Sequence, residues 1–367
     1  AAPPAPLALQ RRVGAAMFRR LMDEISKWLP WTPTLQVVLL GVQYDTSVDE
    51  QREAFLEDFR SRVQLTYRSG LAVPLKLVDG QEIRSDSGWG CMLRVMQMIL
   101  AQAFVEILLG REWRFSEETD LATGSAYLAL ASCFLDTPEA AFSLHNLVNT
   151  GQRLLGKAPS AWFGPTSAAR VVGHLFEKGP PRPGSLRGVA CAVFEDGAIY
   201  KSTVLERFEQ GSEAVIILVC RRLGLDGFNL EEYRAGVESC FELPEFLGLA
   251  SGNSGSSAHF FVGTHDDCLL FLDPHRTLPA LEKVEDLRAG PDPGLRPPRP
   301  LPLRWQRLNP SVCLGFLVRS PKAFRELCGK LAQGPRGEVF EVLEEMPDYA
   351  RRAAEEDVDD DDFAVLS

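Results

Sequence analysis

Apolar positions fall into two regimes along the chain. From Cys91 to Leu109 they run almost unbroken, interrupted only by Arg94, Gln97, Gln102 and Glu106 and closed by Gly110. That length and closure predict a buried helix rather than a strand. Upstream, Met17, Phe18, Leu21, Met22, Ile25 and Trp28 recur at helical spacing, the inward stripe of a docking helix. Leu35 to Val42 reads as a short β segment, Gln51 to Thr66 as a helix, and residues 126–176 as mainly helical with a break at Ala161 to Pro165. From Val189 the period changes. Val189 to Phe194, Glu195-Asp196-Gly197 and Ala198 to Lys201 predict a hairpin. Ala214 to Val219 is a fully apolar strand, and Val312 to Val318 is another. Ala258 to Thr264, turning at Asp266-Asp267 into Cys268 to Asp273, predicts a second hairpin. Ala289 to Pro302 is Pro/Gly-rich and reads as a surface loop. Helices first and strands later give an α+β fold class.

With 367 residues, 45% hydrophobic and 24% charged, the chain has the balance of an ordinary globular protein and enough length for a sizeable core. No run of 18 uninterrupted apolar residues argues for a membrane span. A net charge of −11 argues against nucleic acid as a partner. Much of that charge sits in Glu355 to Asp362, a block expected to stay solvated or to serve as an interaction tail. The eight cysteines are scattered without a Cys-x-x-Cys pair, and several lie in apolar runs, as reduced core thiols do in a cytoplasmic protein. No metal site and no organic cofactor is expected. An Ala/Pro-rich lead followed by Arg11, Arg12, Arg19 and Arg20 is faintly similar to a transit peptide, although the apolar stripe behind it favours docking.

Asp86-Ser87-Gly88-Trp89-Gly90 delivers Cys91 to the start of the long helix. Free N–H groups and the positive dipole end there favour a thiolate, the form that attacks carbonyl carbon. Far downstream stands Asp273-Pro274-His275. Residues two apart on an extended segment share a face, so a carboxylate and an imidazole project together. The carboxylate would fix the imidazole tautomer and stabilise its cation. Pro274 cannot donate to a ladder, which places the pair at a strand end or edge. Cys91, His275 and Asp273 are thus candidates for nucleophile, base and orienting group of a thiol hydrolase. On the residues alone, Tyr67 reads as an ordinary buried phenol and Trp162 as a core cap.

Five stretches carry a family resemblance: Leu65 to Arg68; Ser85 to Arg94 with Gln97, Met98 and Ala101 to Ala103; Trp162 to Pro165; Ser257 to Gly263; and Leu272 to His275 with Pro279. Together, and in this order, they resemble the autophagins, cysteine proteases that process the ubiquitin-like modifier of autophagosome membranes. The resemblance runs from about residue 50 to 330 and implies a papain-like cysteine protease fold with a small accessory subdomain. It gives Cys91, His275 and Asp273 the catalytic roles and makes Tyr67 an oxyanion donor beside the Cys91 N–H. Trp162 would cover the substrate entrance. Ser251, Gly252, Asn253, Ser254, Gly255 and Ser256 would form a mobile regulatory loop, which their composition also suits. Phe363 and Leu366, behind Asp359 to Asp362, match a modifier-interacting motif able to add to a sheet edge.

The implied organisation is an N-terminal segment 1–45, a catalytic domain in two parts (46–126 and 213–330), an accessory subdomain 127–212 and an acidic tail 331–367. The implied partner of this monomeric protein is the modifier, both as precursor and lipidated, with peripheral membrane contact through the lipidated form. Two rival readings stay open: a protease for another ubiquitin-fold modifier, and an inactive modifier-binding scaffold. Val95-Met96 departs from the small residues usual after Cys-Met-Leu-Arg, and Glu282 to Arg304 follows no family pattern. His259 reads as a core or near-site histidine without a catalytic role, and His145, His174 and His265 as surface residues.

Overall fold

The computed structural model describes residues 36–77, 80–116, 121–253, 257–287 and 294–347. Its centre is a nine-stranded mixed sheet: β1 (Gln36–Leu39), β2 (Val42–Asp45), β3 (Val189–Phe194), β4 (Ala214–Arg222), β5 (Phe246–Gly252), β6 (Ala258–His265), β7 (Cys268–Leu272), β8 (Leu301–Arg304) and β9 (Ser311–Val318). The strand order is β8-β7-β6-β5-β9-β4-β3, with β1 joining at β6 and carrying β2. Among the described strands of this sheet, β3 and β4 pair in parallel and the other pairs are antiparallel. The described helices are α1 (Asp49–Arg60), α2 (Cys91–Leu108), α3 (Leu121–Ser132), α4 (Leu144–Leu155), α5 (Pro165–Lys178), α6 (Lys201–Glu209), α7 (Leu230–Cys240) and α8 (Pro321–Leu331).

The long apolar run forms α2, and every residue from Cys91 to Glu106 is buried. It lies on β5 and β6 and is covered by α3, α4 and α5. By length and hydropathy α2 could cross a membrane, but 89% of it is buried inside the protein, which makes it the core helix of the fold. Each Leu, Ile, Met or Phe removed from water there contributes about 1.5–3 kcal/mol. Polar residues on α2 are all matched. Gln97 donates to the Phe142 carbonyl at 2.7 Å, and Gln102 donates to Glu106 at 2.8 Å while accepting from Arg62 at 3.1 Å.

Several expectations need correction. Val189 to Phe194 does not form a hairpin with Ala198 to Tyr200; β3 pairs in parallel with β4, and Ala198–Tyr200 pairs in parallel with Glu341–Leu343. The Asp196-Gly197 turn redirects the chain into α6, which serves as the crossover, so residues 127–212 supply a strand to the common sheet. The first helix ends at Arg60, not Thr66, because Val63, Leu65 and Tyr67 bury as extended chain instead. The β segment at 35–42 is the first arm of a hairpin turning at Leu40-Gly41. His145 and His265 are buried, not surface groups. His145 opens α4 and meets the Val73 carbonyl at 2.7 Å, while His265 ends β6 against Val37 of β1. Both are covered by segments remote in sequence, which local pattern cannot reveal. The second hairpin, the strands at 214 and 312 and the helical break before Pro165 are borne out. The docking helix predicted before residue 35 and the tail motif at Phe363 and Leu366 lie outside the described residues.

Candidate active site

Cys91 is the first residue of α2, and the turn before it is built around Asp86. The Asp86 carbonyl accepts from Gly90 N–H at 2.9 Å and Trp89 N–H at 3.2 Å. Its carboxylate accepts from the Arg68 N–H at 2.6 Å and from Arg94 Nε at 2.8 Å. Arg94 reaches on to Asp136 at 2.9 Å, and all three side chains are essentially sealed from water. Gly88 holds φ of +88°, where glycine is favoured, and a Cβ on Gly90 would come within 2.5 Å of an Asp86 oxygen. The two glycines of the motif thus answer to distinct steric demands.

The Asp-Pro-His segment leaves the end of β7. Asp273 and His275 meet as anticipated: His275 Nδ1 bonds Asp273 Oδ1, and the His275 backbone N–H donates to the same oxygen at 3.1 Å. Residues 64–69 clamp the segment. Gln64 donates to the Asp273 carbonyl at 2.6 Å, Tyr67 N–H to the Pro274 carbonyl at 2.9 Å, and Leu278 N–H to the Tyr67 carbonyl at 3.0 Å. The Tyr67 ring stands edge-on to His275 with centroids 5.5 Å apart. Ser87 and Thr277 hydroxyls bond at 3.0 Å, tying the nucleophile turn to the base segment.

The two halves converge on one sulfur. Burial by itself raises the Cys91 pKa, but hydrogen bonds from His275, the Ala258 N–H and the Tyr67 hydroxyl outweigh it, and the net shift is downward. For His275, burial opposes charge, yet the bonds to Asp273 and Cys91 prevail and lift its pKa to about 9. Asp273 is held below the ordinary carboxylate range; burial acts the other way, but the bonds from His275 dominate. Burial, then the Cys91 sulfur, pushes the Tyr67 hydroxyl upward, so it stays a donor. An activated thiol, a cationic imidazole, an orienting carboxylate and a phenolic donor suit acyl transfer by nucleophilic attack.

Other anticipated residues fall differently. Trp162 is 49% exposed, its ring lying over Gly164. Among the described residues it makes no ring contact with His275 or Tyr67. Ser251 and Gly252 are not loop: they end β5, buried, with the Ser251 hydroxyl donating to the Asn309 carbonyl at 3.0 Å. Asn253 bridges to Leu308. Ala250 and Leu249 pair across to β6 and β9, and the β6 ladder continues through the glycine and serine that composition assigned to a mobile loop. Ser254, Gly255 and Ser256 lie outside the described residues.

Sequence reading left out Gln64, Asp86, Asp136 and the site-facing role of His259. The register of β6 on β7 pairs Phe260 with Leu272, which sets His259 opposite Asp273. Once the hairpin is drawn, that adjacency is available from sequence. His259, Asp273 and His275 each offer one ligand atom within 4.8 Å of the others, so among the described residues they could hold a metal ion. The carboxylate and His275 already bond each other, and the thiol chemistry needs no ion.

Residues 52–330 match the family model described as the peptidase C54 catalytic domain. The chain is similar to "Cysteine protease 1" of Neurospora crassa, 36% identical over 72% of this chain and 55% of that protein. It is similar to "Probable cysteine protease atg4" of Penicillium rubens, 32% identical over 83% of this chain and 79% of the relative. "Cysteine protease atg4" of Emericella nidulans is 32% identical over 82% of this chain and 78% of its own length. The chain therefore spans just over half of the Neurospora relative and nearly four fifths of the other two.

Proposed function

The chain belongs to the peptidase C54 family of cysteine proteases, and from that premise we propose that Cys91 cleaves the amide after the C-terminal glycine of an autophagy ubiquitin-like modifier. The Cys91 thiolate attacks the glycine carbonyl. The oxyanion is held by the Tyr67 hydroxyl and the Cys91 N–H at the head of α2. His275, charged and oriented by Asp273, gives its proton to the leaving amine, and a thioester remains on Cys91. Water, deprotonated by His275, hydrolyses that thioester to the glycine carboxylate and free thiol. When the leaving amine is the peptide extension, the outcome is precursor processing. When it is phosphatidylethanolamine, the outcome is release from the membrane. One observation carries the assignment: His275, Tyr67 and the Ala258 N–H all act on the same sulfur at a helix start and together lower its pKa.

In this reading Trp162 covers the approach to Cys91, and a narrow channel accepts glycine but not residues with a Cβ. Its half-exposed ring, free to be met by substrate, supports that place. Residues 127–212 act as an accessory subdomain that carries Trp162 and is anchored through β3. Residues 251–253 are strand and bridge, so they take no part in any loop motion. Cys91 is only 3% exposed, so an opening must precede attack. Phe363 and Leu366 dock on the modifier's sheet edge. The protein works as a cytoplasmic monomer that meets membranes through lipidated substrate.

Incubation of the full chain with purified modifier precursor, followed by intact mass, tests the reading. Loss of the residues beyond the glycine, abolished by Cys91→Ser and only weakened by tail truncation, is expected. Cleavage of a different ubiquitin-fold modifier alone would overturn the substrate; unchanged cleavage by Cys91→Ser would overturn the mechanism. Vesicles carrying the lipidated modifier test release in the same way.

A further inference from the structure

The first two residues of β6 touch both ends of the catalytic line. The Ala258 N–H donates to the Cys91 sulfur. Its neighbour His259 faces the carboxylate at the far end, with Nδ1 3.8 Å from Asp273 Oδ1. The His259 ring lies 4.3 Å from Phe271 and 5.3 Å from His275, centroid to centroid. Its side chain is 8% exposed, and among the described residues its buried Nδ1 has no hydrogen-bond partner. Packing alone does not account for an imidazole here. Phe261 and Phe271 form an aromatic pocket that phenylalanine would fill without stranding a polar atom.

We propose that His259 is a positioning residue for the catalytic carboxylate, its Nδ1–H directed at Asp273 Oδ1 so that this oxygen stays aligned on His275. Three nitrogens then surround Oδ1: the His275 ring and backbone N–H groups in bond contact, and His259 just beyond it. A carboxylate on a loop can rotate about its Cα–Cβ and Cβ–Cγ bonds; a third N–H narrows that freedom and excludes water from the oxygen. The neighbouring charges are Asp273, His275 and, further off, Arg307. Burial drives the His259 pKa down to about 4, so the ring is neutral at working pH and adds a dipole without repelling the His275 cation.

The inference rests on the roles assigned to Cys91, His275 and Asp273, and its test needs no protein substrate. The rate of iodoacetamide alkylation at Cys91 is followed against pH in the full-length protein, in His259→Phe and in His259→Asn, whose amide can replace the Nδ1–H. Circular dichroism checks that each is folded. In the parent protein the rate should hold well below the free-thiol midpoint of about 8.5. In His259→Phe the misaligned carboxylate supports the His275 cation less, so the thiolate forms at higher pH and the curve moves alkaline. His259→Asn should return it toward the parent curve. On a cleavable substrate, His259→Phe should lose about 10- to 100-fold in kcat with KM unchanged. A His259→Phe curve identical to the parent, or equal shifts in both variants, would overturn the positioning role while leaving the catalytic pair standing. A parent curve that already follows an ordinary thiol would instead remove the catalytic pair.

Discussion

The two sides of the candidate site are built on opposite principles. The nucleophile side is sealed: Arg94, Asp86 and Asp136 exchange charge-assisted bonds at 2.8 and 2.9 Å with at most 1% side-chain exposure, on a helix buried from Cys91 to Glu106. The base side is half open, with Asp273 36% and His275 27% exposed, and is held by single bonds from Gln64, Tyr67 and the loop itself. Position is therefore fixed where the sulfur must stand, and protonation is tuned where the imidazole must work. Damage to the first side should register in stability, and damage to the second in rate and pH.

The sharpest break of this contrast is chemical. Cys91→Ser should abolish peptide cleavage, by about 10³-fold or more, while leaving the melting temperature nearly unchanged. Next, Asp273→Asn should lower kcat by on the order of 10²–10⁴-fold through loss of the His275 cation. Arg94→Leu should do the reverse. It strands Asp86 and Asp136 in a dry interior at about 3–5 kcal/mol, seen as a large fall in the denaturant midpoint. An Arg94→Leu variant that melts like the parent would show that the Asp86–Arg94–Asp136 network is not structural. Gln64→Ala removes one bond to the Asp273 carbonyl and should cost about 0.5–1.5 kcal/mol, felt as a severalfold loss of rate more than as unfolding.

The pH dependence follows the base side. The folded pKa of His275 is raised to about 9 from its ordinary 6.5. Its contribution to stability is thus full below 6.5 and fades as pH rises through about 9, where cleavage should fall as well. His259 runs the other way: its folded pKa is depressed to about 4, so its contribution is present above 6.5 and lost as pH falls. Acid should loosen the strand pair β6–β7 first, measurable by amide exchange at Phe260 and Phe271.

The nucleophile helix, the β6–β7 hairpin and the Asp-Pro-His segment were legible because their signals are local: an apolar run, an acidic two-residue turn, a proline at a strand end. What escaped depended on distant partners. The β3 segment looked like a hairpin arm because its true neighbour, β4, lies beyond a helix. Ser251 and Gly252 look mobile by composition, yet the β5 ladder on β6 holds both and the Ser251 hydroxyl bonds the Asn309 carbonyl. His145 and His265 carry no mark of burial, and their covers come from residues 73 and 37. Of the candidate site, the three groups proposed to do the chemistry could be read from the chain. The Asp86–Arg94–Asp136 support and the second histidine required the sheet to be assembled.

The central claim is that the Cys91 sulfur and the His275 ring share one proton as a charged pair, and an NMR titration of the His275 imidazole tests it most directly. The ring should titrate with a midpoint near 9, and Cys91→Ser should move that midpoint down toward the ordinary value of about 6.5. A midpoint near 6.5 in the parent protein, unmoved by Cys91→Ser, would contradict the pair.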